Sequence, residues 1–421
     1  MRRLLSVVLA FVLVAAVARG GETIRVVACN HPWAEGMKAL VADFEKETGI
    51  KVQVEQYGED QLMQKLAVEF TAGGSTIDVF MTRPQNDARL YIKNGWLADL
   101  TPYVENDADY DFSDYTEGSI VSTKINGFQS SIPVVTEVEV LYYRKDLLEK
   151  KGVQVPTTFE ELEEAAKILD DKQNEIAGFM ARGQRSPLVT VFSNYLFSYG
   201  GDFYNKETMT SMVDTPEFLA AAEFYGRMLR NYGPPGVLNM SWPQGCAIFA
   251  QGKAAMYTEA SSSYPNMLDP AKSKVADLTE VAMFPRGPVA HKCFDVTAWG
   301  LSMPTNAPHK DAAWKFIRYM TNKENTIIIQ GKYANQCARK SAFADPRGIE
   351  NFPKSWVKAV QDSAAIGVGY DRPLITQVGE ARDIIGQVIT DAIENKDYKA
   401  SAKTAHAKFQ VLLDREKADA K

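Results

Sequence analysis

The sequence predicts an α/β protein with a largely parallel sheet. Three observations lead there: short alternating segments, helical stripes between them, and glycines where the stripes end. Ile24 to Cys29 alternates as a strand. Met37, Leu40, Val41 and Phe44 then fall at i, i+3, i+4 and i+7, one apolar face of a helix that Gly49 ends. Lys51 to Glu55 alternates again. Met63, Leu66, Ala67 and Phe70 form a second stripe, stopped by Gly73-Gly74, and Ile77 to Met81 reads as a third strand.

Further along, Glu137 to Tyr143 reads as a strand. Thr158 and Glu161 spell a capping box, in which hydroxyl and carboxylate each satisfy a free backbone N–H at a helix start. Ala313, Phe316, Ile317 and Met320 make another stripe. Ala381, Ile384, Ile385, Val388, Ile389 and Ala392 mark a long late helix. The charged tail from Lys396 to Lys421 is expected to be a surface helix that frays at its end. No internal repeat or low-complexity segment occurs.

Residues 1–18 read as a secretory signal peptide. Arg2 and Arg3 precede an uncharged run from Leu4 that closes on Ala16-Val17-Ala18, and the run is too short to span a bilayer. No Cys follows it closely, the first being Cys29, so lipid anchoring is not expected. The chain has 421 residues, enough for two ordinary domains. Its composition, 45% hydrophobic and 24% charged, is that of a soluble globular protein. The formal charge is -6, about -8 once the leader's two arginines are removed. An acidic chain without a Lys/Arg block argues against a nucleic-acid partner.

Catalytic signatures are absent. His31, His291, His309 and His406 form no His-Glu-x-x-His, and no Gly-x-Ser-x-Gly elbow occurs. Gly367-Val368-Gly369 opens like a nucleotide fingerprint, but Arg372 stands where its third glycine belongs. Glu137 and Glu139 share a strand face, as glycosidase carboxylates could, although such pairs are common by chance. Cys29, Cys246, Cys293 and Cys337 contain no Cys-x-x-Cys, and in an exported chain they allow three full pairings.

Several short blocks occur in a fixed order. They are Phe44 to Ile50, Ile77 to Phe80, Gly127-Phe128 with Ile132-Pro133, Leu141 to Leu147, Pro156 to Leu162 and Tyr199-Gly200-Gly201. Phe249 to Met256, Trp299-Gly300-Leu301, Ala312 to Ile317 and Ala338 to Ser341 complete the series. The ordered series resembles family 1 of the extracellular solute-binding proteins, the maltose-binding-like proteins of carbohydrate ABC transporters, over nearly the whole mature chain. Tyr142 to Asp146, Ala181-Arg182-Gly183, Gly233-Pro234-Pro235-Gly236 and Ser273 to Asp277 are similar to its polyol branch, which takes mannitol, sorbitol and related sugar alcohols.

The resemblance implies a two-lobe, Venus-flytrap α/β fold (type II) with hinge crossings and a central ligand cleft. Lobe one would comprise residues 22–133 plus 300–337, and lobe two residues 134–299 plus 338–421. Crossings are expected near Ser131–Val135, Trp299–Met303 and Asn335–Lys340. Cys293 with Cys337 is the favoured disulfide, because both lie near segments placed at the cleft.

A polyhydroxy ligand calls for aromatic surfaces and for side chains with several hydrogen-bonding positions. Asn30 and Trp33 follow the first strand, and Arg83 follows the third, where α/β proteins commonly place ligands. Trp33 could equally pack locally, and Arg83 could be a solvated loop charge. The polyol branch implies Glu137, Arg182 and Glu259 as contacts, with a structural salt bridge as the other reading of Glu137. Trp242 in its loop either stacks or packs. Trp299 lies at the second crossing and Arg339 at the third, where Arg339 is either a contact or a hinge residue. Replacing Arg182 by Ala is expected to weaken binding and leave the fold intact. Adjacent tyrosines hold iron in ferric-binding relatives of this fold. Tyr142 and Tyr143 instead alternate to opposite faces of a strand block shared with sugar binders, so packing is expected, and no metal or cofactor.

The sequence therefore reads as a periplasmic, monomeric, non-enzymatic component of an ABC importer. It would capture a sugar alcohol or small sugar and deliver it to a membrane permease. Other solutes (an oligosaccharide, a glycerol phosphate, a polyamine) are the alternatives, and a secreted carbohydrate-active enzyme is the rival from another class.

Overall fold

The computed structural model describes residues 22–73 and 76–419. The signal-peptide reading of residues 1–18 falls outside them. The chain opens with β1 (Thr23–Cys29), α1 (Pro32–Thr48), β2 (Lys51–Tyr57), α2 (Glu59–Thr71) and β3 (Val79–Thr82). Each boundary has a local cause. His31 caps α1 by accepting the Trp33 amide, and Gly49 closes it with a positive φ of 74°, conformation that a side chain resists.

A 13-residue strand, β4 (Ile132–Arg144), comes next. It is followed by α3 (Phe159–Leu169), α4 (Leu188–Ser198), α5 (Pro216–Tyr232), α6 (Trp242–Ala250), β5 (Met256–Ala260), β6 (Thr279–Met283) and β7 (Cys293–Ser302). The capping box read from Thr158 and Glu161 starts α3. The chain ends with α7 (Lys310–Met320), α8 (Lys354–Ala364), β8 (Gly367–Val368), α9 (Val378–Ile393) and α10 (Tyr398–Asp419).

The main sheet runs β6-β4-β7-β3-β1-β2, with β5 paired to β4 and β8 to β7. It is mixed rather than largely parallel. β1 is parallel to β2 and β3, and β8 to β7, whereas β7 pairs antiparallel to β3 and β4, and β4 antiparallel to β5 and β6. The parallel pairs among β1 to β3 are those whose connections include a helix, α1 or α2, that carries the chain back. β4 and β7 run the other way past β3, and no local pattern announces that direction.

Three apolar clusters carry most of the burial. One joins β1 to β3 with α1 and α7 through Phe44, Phe80, Phe316 and Ile317. A second gathers Phe159, Phe192, Tyr195, Tyr225, Ile385 and Phe409. A third holds Tyr142, Phe249, Tyr257 and Trp356. β4 threads them in sequence. Val134 and Val135 belong to the first, Val138 and Val140 to the third, and Leu141 to the second. β7 runs beside it through two offsetting register shifts: Thr297 faces Thr136, Trp299 faces Val135 and Gly300 faces Pro133, so Ala298 is the extra residue on β7 and Val134 on β4.

Two expectations change here. All four cysteines are buried free thiols. Cys293 sits in the second cluster with its thiol on the Ser363 carbonyl at 3.3 Å, while Cys337 sits in the first, so the favoured pair is not formed. The tail forms a docked helix as far as Asp419, and its last two residues lie outside the described ones. Ala402, Ala405, Phe409, Leu412 and Leu413 form a buried stripe on α10, which packs on α9. Tyr142 and Tyr143 alternate as expected. Tyr142 is buried and its hydroxyl donates to the Ala260 and Ser261 carbonyls, while Tyr143 packs against the second cluster.

Candidate functional site

A cleft of about 890 Å³ opens where the first cluster meets the other two. One wall is built from strand ends. Asn30 and His31 follow β1, Gly58 and Glu59 follow β2, and Arg83 and Asn86 follow β3. These are positions beyond the carboxyl ends of parallel strands, where backbone and side chains are free to face a ligand. His31 accepts the Trp33 amide on Nδ1 at 3.1 Å, so a neutral ring carries its proton on Nε2. Burial lowers its pKa to about 4 against the opposing pull of Glu59, which keeps it neutral.

Arg83 is clamped. Its guanidinium meets Asp87 at 2.8 Å and Glu59 at 2.7 Å. Burial works against the Glu59 charge, but Arg83 outweighs it and holds that carboxyl below its ordinary value.

The opposite wall comes from β4, the segment after the bridge of Met180 to Tyr257, and the start of α6. Glu137 lies on β4 with a carboxylate oxygen accepting from the Ser262 hydroxyl at 2.6 Å. Burial pushes its pKa up to about 7, with Asp371 and Glu259 adding to the shift and Ser262 and Arg182 opposing it. Arg182 donates from Nε to Glu259 at 2.8 Å, and its Nη2 meets the other Glu259 oxygen. Trp242 is the first residue of α6, in a capping box made by Ser241 and Gln244. Trp299 closes the floor, its ring tilted against His31 with centroids 6.4 Å apart.

Six of the nine candidate residues therefore share this cleft: Asn30, Arg83, Glu137, Arg182, Trp242 and Trp299. Three do not line it. Trp33 turns inward from the first turn of α1 and is 2% exposed within the first cluster, which is the packing alternative. Glu259 is wholly buried behind Arg182. It takes the Tyr257 hydroxyl at 2.7 Å and the Ala260 amide at 2.9 Å, so its oxygens are spent inside the wall. Arg339 is also wholly buried. It donates to the carbonyls of Thr321, Asp111 and Tyr110, and lies over the rings of Tyr110 and Tyr115. That arrangement ties the Arg339 segment to residues 110–115 and to Thr321.

Sequence reasoning missed Arg372, Arg382, Asn86 and Thr190, which form the remaining end of the cleft. Arg372 had a signal of its own. It is the residue that broke the apparent nucleotide fingerprint, in a turn that β8 places beside β7. Arg382 sits on the polar side of a stripe read correctly in α9, and nothing local separates it from an ordinary solvated charge.

Comparison with known proteins agrees with this geometry. The profile of the bacterial extracellular solute-binding proteins matches residues 30–327. The mannitol-binding protein of Pseudomonas aeruginosa is 26% identical over 344 residues, covering 80% of this chain and 74% of the relative. The erythritol/L-threitol-binding protein of Mycolicibacterium smegmatis is 27% identical over 345 residues, covering 77% and 72%. Among solved structures, an ABC transporter solute-binding protein of Agrobacterium radiobacter K84 in complex with ribitol superposes with a TM-score of 0.84. The two are 28% identical, over 93% of this chain and 99% of that one. The two-lobe α/β fold with its cleft is thus shared in full, and the chain belongs to the bacterial extracellular solute-binding protein family.

Proposed function

We propose that this protein captures a polyhydroxy solute, a sugar alcohol or small sugar, in the cleft and hands it to the membrane permease of an ABC importer. The observation that carries the reading is the composition of the cleft. Trp242 and Trp299 offer aromatic faces for C–H groups, and Asn30, Arg83, Glu137 and Arg182 offer hydrogen-bonding edges between them. The names of the mannitol- and erythritol/L-threitol-binding relatives support it. In this reading those six residues contact the solute.

Residues 1–18 are a cleaved leader, and the mature protein works as a monomer in the periplasm. Lobe one is residues 22–133 plus 300–337, and lobe two residues 134–299 plus 338–421. The near-complete separation of the first apolar cluster from the second supports that division.

The test is a thermal-shift screen of polyols, sugars and their acids with product analysis on the same samples. A solute at 100 times its Kd stabilises the native state by about 2.7 kcal/mol. Stabilisation without a product is the expected result. A screen in which no polyol, sugar or sugar acid raises Tm overturns the proposal, and a turnover product would favour the carbohydrate-active enzyme.

A further inference from the structure

Four guanidinium groups line the cleft, and they are not equally neutralised. Arg83 has Glu59 and Asp87, and Arg182 has Glu259. Arg372 has Asp371, a wholly buried carboxylate that meets its Nε at 2.5 Å and also its Nη2. Arg382 forms no ion pair among the described residues. It donates only to neutral oxygens, Asn86 Oδ1 at 3.4 Å and Thr190 Oγ1 at 3.2 Å. Arg372 already uses both of these, at 2.6 Å and 3.1 Å. The Nε of Arg382 is buried with no hydrogen-bond partner among the described residues. Two adjacent guanidiniums thus share two neutral acceptors and a single carboxylate.

Resting on the solute-binding reading above, we propose that the solute of this cleft is a polyhydroxy acid whose carboxylate docks against Arg382 beside Arg372. The uncompensated charge at this end is one unit. A carboxylate supplies one negative charge in a planar fork that matches a guanidinium, whereas a phosphate monoester carries about -1.5 to -2 and overshoots. Leaving a half-buried guanidinium unmatched is costly, and a ligand anion lowers that cost on binding. Burial, with Arg372, Arg83 and Arg182 nearby, depresses the pKa of Arg382 well below its ordinary value despite the pull of Asp371, as expected where one counter-charge is missing. Glu59 attracts Arg382 at longer range, but its hydrogen bond goes to Arg83. The remaining walls, with Trp242, Trp299, Asn30 and Glu137, are left for the hydroxylated part of the molecule.

The experiment is calorimetric titration of the protein with matched pairs: D-mannitol against D-mannonate, ribitol against D-ribonate, and ribitol 5-phosphate as the dianion. At least one acid should bind about tenfold or more tightly than its neutral partner, the contribution of a charge-assisted hydrogen bond, and high salt should shrink the gap. Arg382→Gln should lower affinity for the acid more than for its neutral partner and so narrow the gap between the two. The wild-type comparison stands even if that variant fails to fold. Neutral polyols that bind as tightly as their acids would overturn the inference and leave the proposed function intact. Tighter binding of the phosphate would overturn the carboxylate assignment. If neither polyols nor acids bind, the inference falls together with the proposed function.

Discussion

Arg182 does two jobs at once, and its burial decides what a substitution there would do. Its guanidinium faces the cleft, yet it also neutralises Glu259, which has no exposure at all. Removing one member of a buried pair leaves the other charge unmatched, at a cost of about 3 to 5 kcal/mol. Arg182→Ala is therefore expected to lose stability of that order in urea unfolding at neutral pH, contrary to the sequence-based expectation of an intact fold. Adding Glu259→Leu should recover a large part of the loss, because the stranded charge goes with it. A loss below about 1 kcal/mol would show that water or a neighbour satisfies Glu259 and would refute this account. Single residues were legible where a strand end dictates their position, as with Asn30 and Arg83, and on the long paired strands, as with Glu137 and Trp299. Arg382 was not, because nothing in its local pattern shows which carboxylates its neighbours have already taken. Trp33 failed for the converse reason: a residue just past a strand end can turn into the core or out of it, and only packing chooses.

Among the elements, β4 has the most consequential chemistry. Period two puts Glu137 and Glu139 on one face, as the sequence indicated, but only Glu137 lines the cleft, so the two are not placed as a glycosidase pair. Glu139 is wholly buried with both oxygens unpartnered, and burial, with Glu259 adding, lifts its pKa well above the ordinary range. Glu137 is raised to about 7. An unfolded glutamate titrates near about 4.3, so between that value and 7 the folded state holds a proton that the unfolded state has lost. Stability from Glu137 should therefore fall as pH rises from about 4.3 to 7, then level off, and the raised pKa of Glu139 contributes a fall of the same sign. Glu137→Gln should flatten the decline between pH 5 and pH 7 in urea midpoints. An unchanged slope would mean that Glu137 stays ionised in the folded protein. The elements that the sequence revealed, α1, α2, α3, α7 and α9, share a one-sided apolar stripe or a cap. α4 escaped notice because all 11 of its residues are buried, which erases the stripe. The pairing of β4 with β7 escaped it because strand direction is set by distant connections.

At the scale of the molecule, the cleft is a junction between bodies that pack separately. Two long antiparallel strands and the segment around Cys337 connect them, with Thr136 of β4 donating to the Cys337 carbonyl at 3.1 Å. The bulge at Ala298 falls at the same level, between Thr297 and Trp299, and Ala298 itself faces the cleft. A bulge loosens a ladder where it occurs, so bending concentrates at Thr136–Glu137 and Thr297–Trp299 while the apolar clusters stay intact. Cleft-lining residues come from both sides, Asn30 and Arg83 from one and Arg182 and Trp242 from the other. A solute that touches both sides binds a closed arrangement better than an open one, and that difference alone drives closure. Moving a population from 1:99 to 99:1 takes about a 10⁴-fold preference, roughly 5.5 kcal/mol, which several cross-cleft hydrogen bonds can supply. Small-angle X-ray scattering should therefore show the radius of gyration falling when a solute that raises Tm is added to saturation, and staying constant with a sugar that does not. Deletion of Ala298 would remove the extra residue of β7 and leave its counterpart Val134 unmatched on β4, altering the crossing where the bend is expected. It should weaken that solute's affinity and reduce the contraction together, since both depend on the same bend. Contraction that is absent with a tightly bound solute, or unaffected by the deletion, would place the motion elsewhere or remove it.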